Sequence, residues 1–135
     1  MLPDRKPCIL KAMAASQQAR QKERCIFCRI VAGTAAADIV FDGGDTLFFY
    51  DVAPKARVHI IGIPKHHLIS LHSMAADDQA LLGKLLHDVA HVAENVGVSA
   101  TGYRVITNVG QDSGQEVEHL HFHILGGEQL GPLRC

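Results

Sequence analysis

The chain has 135 residues, 47% of them apolar, and a formal net charge of −1 at pH 7. This length favours one domain with a hydrophobic core, and the near-neutral charge argues against a general binder of nucleic acids. No apolar run reaches the roughly 18–20 residues that a membrane-spanning helix needs, so no membrane partner is expected. Four cysteines without a recognisable secretory signal favour free thiols and a cytoplasmic location.

The first 24 residues differ in composition from the rest of the chain. They carry six Lys or Arg and two acidic residues, whereas residues 25–135 carry seven and twelve. Large apolar side chains are few among them, so we expect a basic, disordered tail over 1–24 and a single domain over 25–135. A basic, acid-poor start is also compatible with an organelle transit peptide, which is the alternative to a cytoplasmic location.

Local patterns predict the elements of the domain in chain order. A short helix or turn is expected at Cys25–Ala32, and β-branched or aromatic runs predict five strands. The strands are Ile39–Phe41, Thr46–Tyr50, Val58–Ile63, Tyr103–Thr107 and His119–Leu125. Apolar residues at steps of three and four over 77–96 predict one long helix, with Asp88 on its solvated face. This order predicts an α+β domain, an antiparallel sheet with one long helix packed on it.

The last predicted strand contains three histidines that alternate with apolar residues. The histidines are His119, His121 and His123, and the apolar residues are Leu120, Phe122 and Ile124. Because successive side chains of a strand point to opposite faces, the pattern predicts three imidazoles on one face and three core residues on the other. Packing does not require three histidines, so we interpret this face as functional.

Imidazole chemistry suggests what such a face does. A neutral imidazole nitrogen can attack phosphorus and form a labile phospho-histidine that water then cleaves. The reaction also needs groups that stabilise charge on the phosphoryl oxygens. The polar loop Gly110–Glu116 lies just before the histidines, and its glycines allow backbone N–H groups to approach a phosphate.

The histidine pattern resembles the signature of the histidine triad (HIT) family of nucleotide hydrolases and transferases. Further segments, in family order, extend the resemblance over about residues 25–133. They are Cys25–Ile30, Phe49–Pro54, His59–His67, Thr107–Gly110 and Gly114–Val117. Gly126 and Gly127 after the triad are similar to the Hint branch, the purine nucleoside phosphoramidases, and Glu116 resembles its bacterial members.

The resemblance implies both a fold and an activity. The fold is a five-stranded antiparallel sheet with one long and one short helix, paired into a homodimer. The activity is cleavage of the P–N bond of purine nucleoside 5′-phosphoramidates through a covalent nucleotidyl-histidine, which releases the nucleoside monophosphate without a catalytic cofactor. Two alternatives stay open: a dinucleoside polyphosphate hydrolase of the same family, and a nucleotide-binding or zinc-containing interaction module.

The resemblance also implies roles for individual residues. His121 is the nucleophile, and His119 and His123 are the other catalytic histidines. Asp51 binds the ribose hydroxyls, and Asn108 binds the phosphate together with His123. The loop residues at the phosphate are Gly114, Gln115, Glu116 and Val117. The residues of the base pocket are Ile26, Phe27, Ile30, Phe49 and Val52.

Cys25 and Cys28 form a C-x-x-C, which is typical of a metal knuckle, a redox pair or a chance spacing. The resemblance implies that His59 and His119 complete a structural zinc site with them, a Cys₂His₂ set with no open position. In the competing interpretation, His59 and His119 form a hydrogen-bonded relay behind His121. His67 is expected to be a buried structural residue.

Overall fold

The computed structural model describes residues 22–133 and contains one five-stranded antiparallel sheet with two α-helices. The strands are β1 (Ile39–Asp42), β2 (Thr46–Tyr50), β3 (Val58–Pro64), β4 (Tyr103–Ile106) and β5 (Phe122–Gly126). The helices are α1 (Ile26–Ala32) and α2 (Gln79–Asn95). The spatial order of the strands is β1-β2-β3-β5-β4, so β5 lies at the centre beside β3. The predicted fold class is confirmed.

Two further sequence predictions concern the N-terminal tail and the absence of a membrane-spanning helix. The predicted basic tail, 1–24, lies outside the described residues except for its last three. Between residues 22 and 133, no helix is both long enough and apolar enough to cross a membrane.

The sheet has a core on each face, because side chains of each strand alternate between the two faces. One core lies between the sheet and α2. Its buried residues are Phe48, Ile60, Leu85, Val89, Val92, Leu120, Phe122 and Ile124. The other core lies under α1. Its buried residues are Phe27, Leu47, Phe49, Ile61 and Ile63. The prediction that Leu120, Phe122 and Ile124 enter the core is confirmed.

Gly62, in the middle of β3, is needed for packing on the α2 side. It is paired with Phe48 of β2 on one side and with Phe122 of β5 on the other. A methyl group at Gly62 would collide with the ring of Phe48. The missing side chain therefore gives the Phe48 ring room at the centre of the sheet.

The long helix corrects one prediction about its surface. Asp88 was expected on the solvated face, but it is 7% exposed. Its Oδ2 accepts hydrogen bonds from Thr46 Oγ1 at 2.6 Å and from Lys84 Nζ at 2.7 Å. Both partners are charged or polar, and Thr46 is itself fully buried, so α2 is anchored to the start of β2 by a buried polar contact.

The predicted last strand is longer than the observed one. β5 begins at Phe122, so His119 and His121 precede it and only His123 of the three histidines lies in the sheet. The backbone N–H of Leu120 donates to the carbonyl of Leu68 at 2.6 Å instead of joining the ladder. Side-chain alternation continues through this segment, which explains why the sequence pattern suggests a strand there.

Candidate active site

A cavity of about 590 Å³ lies on the α1 side of the sheet, a size typical of small-molecule sites. Its wall brings together His121, His123 and nearly all the residues that the sequence suggests for nucleotide binding. Those residues are Ile26, Phe27, Ile30, Phe49, Asp51, Val52, Asn108, Gly114, Glu116 and Val117. Lys55 and His59 also line the cavity, and the sequence analysis did not place them there.

Gln115 is the predicted nucleotide-binding residue whose side chain is turned away from the cavity. Its Nε2 donates to the carbonyls of Ile69 at 2.7 Å and Val117 at 3.1 Å. Its Oε1 accepts from the backbone N–H of Gly110 at 2.9 Å. Gln115 therefore holds the two ends of the 110–117 loop together, and a positive φ of 82° at Gly114 turns the loop at the cavity wall.

The hydrogen bonds of His121 select one tautomer of its neutral ring. Its Nδ1 lies 2.6 Å from the backbone carbonyl oxygen of His119. A carbonyl oxygen can only accept, so Nδ1 carries the proton and Nε2 of the neutral ring has a free lone pair. Thr107 Oγ1 donates to the carbonyl of His121 at 2.7 Å and holds its backbone. The ring is almost fully buried, at 6% exposure, yet it lines the cavity.

His59 and His123 form a second histidine pair in the cavity. His59 Nδ1 accepts the backbone N–H of Lys55 at 3.0 Å, so the proton of the neutral ring is on Nε2. That proton is donated to His123 Nδ1 at 2.8 Å. The proton of neutral His123 must then be on Nε2. The hydrogen bonds of this pair thus leave the Nε2–H of His123 as a hydrogen-bond donor at the cavity wall.

Burial keeps both rings of this pair neutral. Desolvation, with smaller contributions from the neighbouring His121 and His59, lowers the pKa of His123 to about 4. Desolvation also lowers the pKa of His59, although the carboxylate of Asp51 opposes the shift. The neutral forms that the hydrogen-bond pattern requires are therefore the forms present near pH 7.

Asp51 is placed by the end of β2 and a tight turn. Its Oδ1 accepts the backbone N–H of Ala53 at 2.8 Å, and its Oδ2 lies 3.4 Å from His59 Nε2. The backbone N–H of Asp51 donates to the carbonyl of His59 at 3.0 Å. Asp51, His59 and His123 also have ligand atoms within 4.8 Å of one another, but hydrogen bonds within the site already engage these atoms.

A separate cluster, the cysteine–histidine cluster, consists of Cys25, Cys28, His67 and His119. His119 Nδ1 lies 3.4 Å from Cys25 Sγ and 3.5 Å from Cys28 Sγ. His67 Nδ1 lies 3.1 Å from Cys28 Sγ and 3.1 Å from His119 Nδ1. All four ligand atoms fall within 4.8 Å of one another.

This cluster corrects the predicted metal set. The sequence analysis grouped His59 with the cysteines, but His67 occupies that place and His59 is bonded to His123 in the cavity. The competing relay of His59 with His119 is also not formed, because His119 lies in the cluster. The physical reason is distance along β3. His59 is near one end of the strand, whereas His67 follows Pro64 at the other end, roughly 16 Å away at the rise of a strand.

The donor set fits a tetrahedral divalent cation such as zinc. Ligand atoms around such an ion lie roughly 3.3–3.8 Å apart for the usual bond lengths, and the contacts above are 3.1–3.5 Å. His119 Nε2 donates to the carbonyl of Pro64 at 2.9 Å, which leaves the Nδ1 lone pair facing the cluster. Nε2 of His67 is buried without a hydrogen-bond partner among residues 22–133. The nitrogen of His67 that faces the other ligand atoms of the cluster is therefore Nδ1.

Whether the thiols of the cluster carry protons depends on whether a metal ion is bound. Burial, with a smaller contribution from the neighbouring Cys25, raises the pKa of the Cys28 thiol to about 11. Burial likewise lowers the pKa of His119 to about 4. Both groups are therefore neutral near pH 7 when nothing is bound, and a bound metal ion would displace the thiol protons.

Comparison with known proteins places this architecture. The family profile described as "HIT domain" matches residues 32–130. The "Purine nucleoside phosphoramidase" of Escherichia coli (strain K12) is 36% identical over 111 residues, which are 82% of this chain and 93% of that protein. "Protein HitA" of Neisseria gonorrhoeae is 40% identical over 77% of this chain and 96% of its own length.

A solved structure gives the same result. The "HIT family hydrolase" from Clostridium thermocellum superposes with a TM-score of 0.80 at 34% identity, over 84% of this chain and 98% of that one. Fold and site together define an α+β domain with a histidine-lined cavity beside the end of its central strand. The chain belongs to the HIT domain family and is a hydrolase of that family.

Proposed function

We propose that this chain is a purine nucleoside phosphoramidase, which cleaves the P–N bond of nucleoside 5′-phosphoramidates and releases the nucleoside monophosphate. One observation carries the proposal. His121 donates its Nδ1 proton to the carbonyl of His119 at 2.6 Å, which leaves Nε2 as a nucleophile at the wall of the cavity. The name of the E. coli relative supports a phosphoramidate as the substrate.

The reaction consists of two displacements at phosphorus. In the first, the Nε2 lone pair of His121 forms a bond to phosphorus while the P–N bond breaks and the leaving amine takes up a proton. The modified ring keeps its Nδ1 proton and becomes cationic, and the carbonyl of His119 stabilises that charge. In the second, water attacks phosphorus and gives up a proton, the Nε2–P bond breaks, and His121 regains its lone pair.

The other groups of the cavity bind the nucleotide. The Nε2 proton of His123 and the amide of Asn108 are available to the phosphoryl oxygens, where negative charge increases in the transition state. Neutral His123 would become an imidazolate if it gave up this proton, so the leaving amine takes its proton from solvent water. Asp51 accepts hydrogen bonds from the ribose, and the apolar end of the cavity holds the base. That end includes Ile26, Phe27, Ile30, Phe49 and Val52.

The cysteine–histidine cluster would hold a structural zinc ion. Two thiolates and two imidazoles supply four ligands, so the ion has no open position for substrate. Its chemical contribution is to tie α1, the segment after β3 and the segment before β5 to one another. No metal ion contacts the substrate in this proposal.

The test compares two substrates on one protein. Release of nucleoside monophosphate is followed from adenosine 5′-phosphoramidate and, in parallel, from diadenosine tetraphosphate, with His121→Ala as the inactive variant. His87→Ala is the matched control, because the His87 side chain is 85% exposed on α2. We expect P–N cleavage in the wild type and in His87→Ala, and a loss of at least about 10³-fold in His121→Ala. Intact mass after an alkaline quench should show one nucleotidyl group on the wild type.

Two results would contradict the proposal in different ways. Turnover of the tetraphosphate alone would reassign the substrate to dinucleoside polyphosphates and keep the nucleophile. Absence of turnover of either substrate by the folded, zinc-loaded protein would leave only a nucleotide-binding role.

We also propose that two copies pair through β4. This strand is an edge of the sheet, and an edge strand has unpaired backbone groups that another chain can bind. Its Val105 is 38% exposed. Sedimentation of wild type, Val105→Lys and the control Leu86→Lys, which alters an exposed leucine of α2, tests the pairing. A dimer that persists in Val105→Lys would exclude this edge.

A further inference from the structure

The two cavity histidines of the triad are held in different ways. His123 lies within β5, where ladder hydrogen bonds fix its backbone on both sides. His121 precedes the strand, so its backbone depends on other contacts. Two of these are the hydrogen bond from Thr107 Oγ1 to its carbonyl, at 2.7 Å, and that from the Leu120 N–H to Leu68, at 2.6 Å. The residue in the reacting position is thus outside the sheet that supports the rest of the site.

His119 is the third support, and it is shared with the cysteine–histidine cluster. Its Nδ1 lies among the cluster donors, 3.1 Å from His67 Nδ1 and 3.4 Å from Cys25 Sγ. Its Nε2 donates to the carbonyl of Pro64 at 2.9 Å. Its own carbonyl accepts the Nδ1 proton of His121 at 2.6 Å. The side chain of His119 is fully buried, so tight packing leaves its ring little room to move apart from the backbone that carries the carbonyl.

Phe27 supplies a second connection between cluster and nucleophile. It lies between Cys25 and Cys28 in the sequence, at the start of α1. Its ring packs edge-to-face on His119, with centroids 5.8 Å apart, and on His121, with centroids 5.2 Å apart. A change in the position of the cysteines is therefore transmitted to the His121 ring by direct packing.

We propose that the cysteine–histidine cluster, loaded with zinc, positions the nucleophile by fixing the His119 carbonyl that selects the reactive form of the His121 ring. The inference rests on the proposed role of His121. When His67 is missing as the fourth ligand, His119 is no longer held by a metal. The carbonyl then shifts from Nδ1 of His121, and the ring samples the tautomer in which Nε2 carries the proton and cannot attack. His119, His67 and the two cysteines are positioning residues in this scheme, since none of them lines the cavity.

The test uses a pair of variants at His67 in the full-length protein. His67→Ala removes one donor, whereas His67→Cys replaces it with a thiolate and retains a four-donor set of the Cys₃His type. Cys28 and His67 also line a second cavity of about 480 Å³ at the surface, so zinc and a chelator can reach the cluster. Val92→Ala is the control for lost stability, because Val92 is fully buried in the core on the opposite face of the sheet.

Three quantities are measured for each protein: bound zinc, the ring ¹⁵N shifts of His121, and the single-turnover rate of nucleotide transfer to His121. We expect one Nδ1–H tautomer in the zinc-loaded wild type and mixed tautomers in His67→Ala and after chelation. The transfer rate should fall at least about 10-fold in His67→Ala, because a displaced nucleophile is costly. His67→Cys should restore zinc, tautomer and rate, and Val92→Ala should retain all three at a lower melting temperature.

The proposal is overturned if the wild type binds no zinc, or if metal-free His67→Ala keeps a single Nδ1–H tautomer and a transfer rate within about twofold of wild type. These outcomes are separate from a failure of the proposed function. A wild type that forms no nucleotidyl-histidine would end the phosphoramidase proposal, whereas the tautomer of His121 with and without zinc would still decide whether the cluster positions this ring.

Discussion

His59 determines the proton position of a neighbour rather than acting on a substrate by itself. The backbone N–H of Lys55 occupies its Nδ1, so its single proton points to His123 Nδ1. We expect His59→Ala to lower kcat for P–N cleavage about 10²-fold, since His123 can then adopt either tautomer and no longer presents a fixed donor. Nucleoside monophosphate binding should weaken much less, which calorimetry measures.

The matched variant for this experiment is His87→Ala, which removes an exposed histidine of α2 and should keep full activity. Wild-type kcat in His59→Ala would show that His123 is oriented without its partner. A large loss of monophosphate affinity with unchanged kcat would instead make His59 a binding residue.

Residue types in the site could be predicted from the sequence more reliably than their partners. The histidines at 121 and 123 and the carboxylate at 51 lie where the motifs indicate. The metal set could not be completed correctly, because His59 lies at one end of β3 and His67 follows the other end, and the sequence does not show which end of that strand faces α1. The contact of His119 with Pro64, at the end of β3, is what places His67 beside the cysteines.

At the scale of elements, α2 depends on a contact that periodicity does not reveal. A buried carboxylate at Asp88 interrupts the expected polar face, and it is stable there only because Thr46 and Lys84 donate to it. Burial raises the pKa of Asp88, but the bonds from Lys84 and Thr46 outweigh it and lower the pKa overall. A helical pattern shows which positions are apolar. It cannot show that the hydroxyl of Thr46, on a neighbouring strand, lies opposite Asp88.

We expect Thr46→Val to lower the free energy of unfolding by about 1.5–3 kcal/mol, the range for a lost hydrogen bond to a charged group. The valine has nearly the same shape, so the loss reports the hydrogen bond and not a cavity. Urea unfolding at pH 7 measures it. Thr101→Val, at an exposed position, is the control and should change stability by less than about 0.5 kcal/mol. Equal stability of the two variants would mean that Lys84 alone satisfies Asp88.

The start of β5 shows the same limit of pattern reasoning. Alternation of His and apolar residues from His119 onward predicts a strand, and alternation of side chains is indeed what the segment has. Its backbone hydrogen bonds, however, go elsewhere, as the bond from Leu120 to Leu68 shows. Sequence periodicity reports the direction of side chains, whereas membership of a sheet depends on which partner strand is within reach.

At the scale of the whole molecule, the fold class could be predicted from the sequence, whereas the order of the strands in the sheet could not. Five short apolar runs and one amphipathic helix suffice to predict an α+β sheet domain, because each must bury one face. The order β1-β2-β3-β5-β4, in which the last strand inserts beside β3, brings His59 and His123 together. That juxtaposition joins residues 64 positions apart, and no local pattern contains it.

The buried histidines make the stability of the whole domain depend on pH. Burial lowers the pKa of His123 to about 4 and also lowers that of His59, whereas an unfolded chain has histidine pKa values near 6.5. Between these values the unfolded chain binds protons that the folded one does not. The free energy of unfolding must therefore fall as the pH falls from about 6.5 towards 4, by up to about 1.4 kcal/mol per pH unit for each such group. Asp88 has the opposite charge and a lowered pKa, so its contribution is lost only below about pH 4.

Urea unfolding of the zinc-free protein at several pH values between 7 and 4.5 should show this decline. His123→Asn removes one of the titrating groups and should make the curve less steep, while His87→Asn, at an exposed site, should leave the slope unchanged. A flat curve for the wild type would mean that His123 and His59 accept protons in the folded state. The pair would then become protonated as the pH falls below about 6.5, and the donor assigned to His123 Nε2 would hold only above that pH.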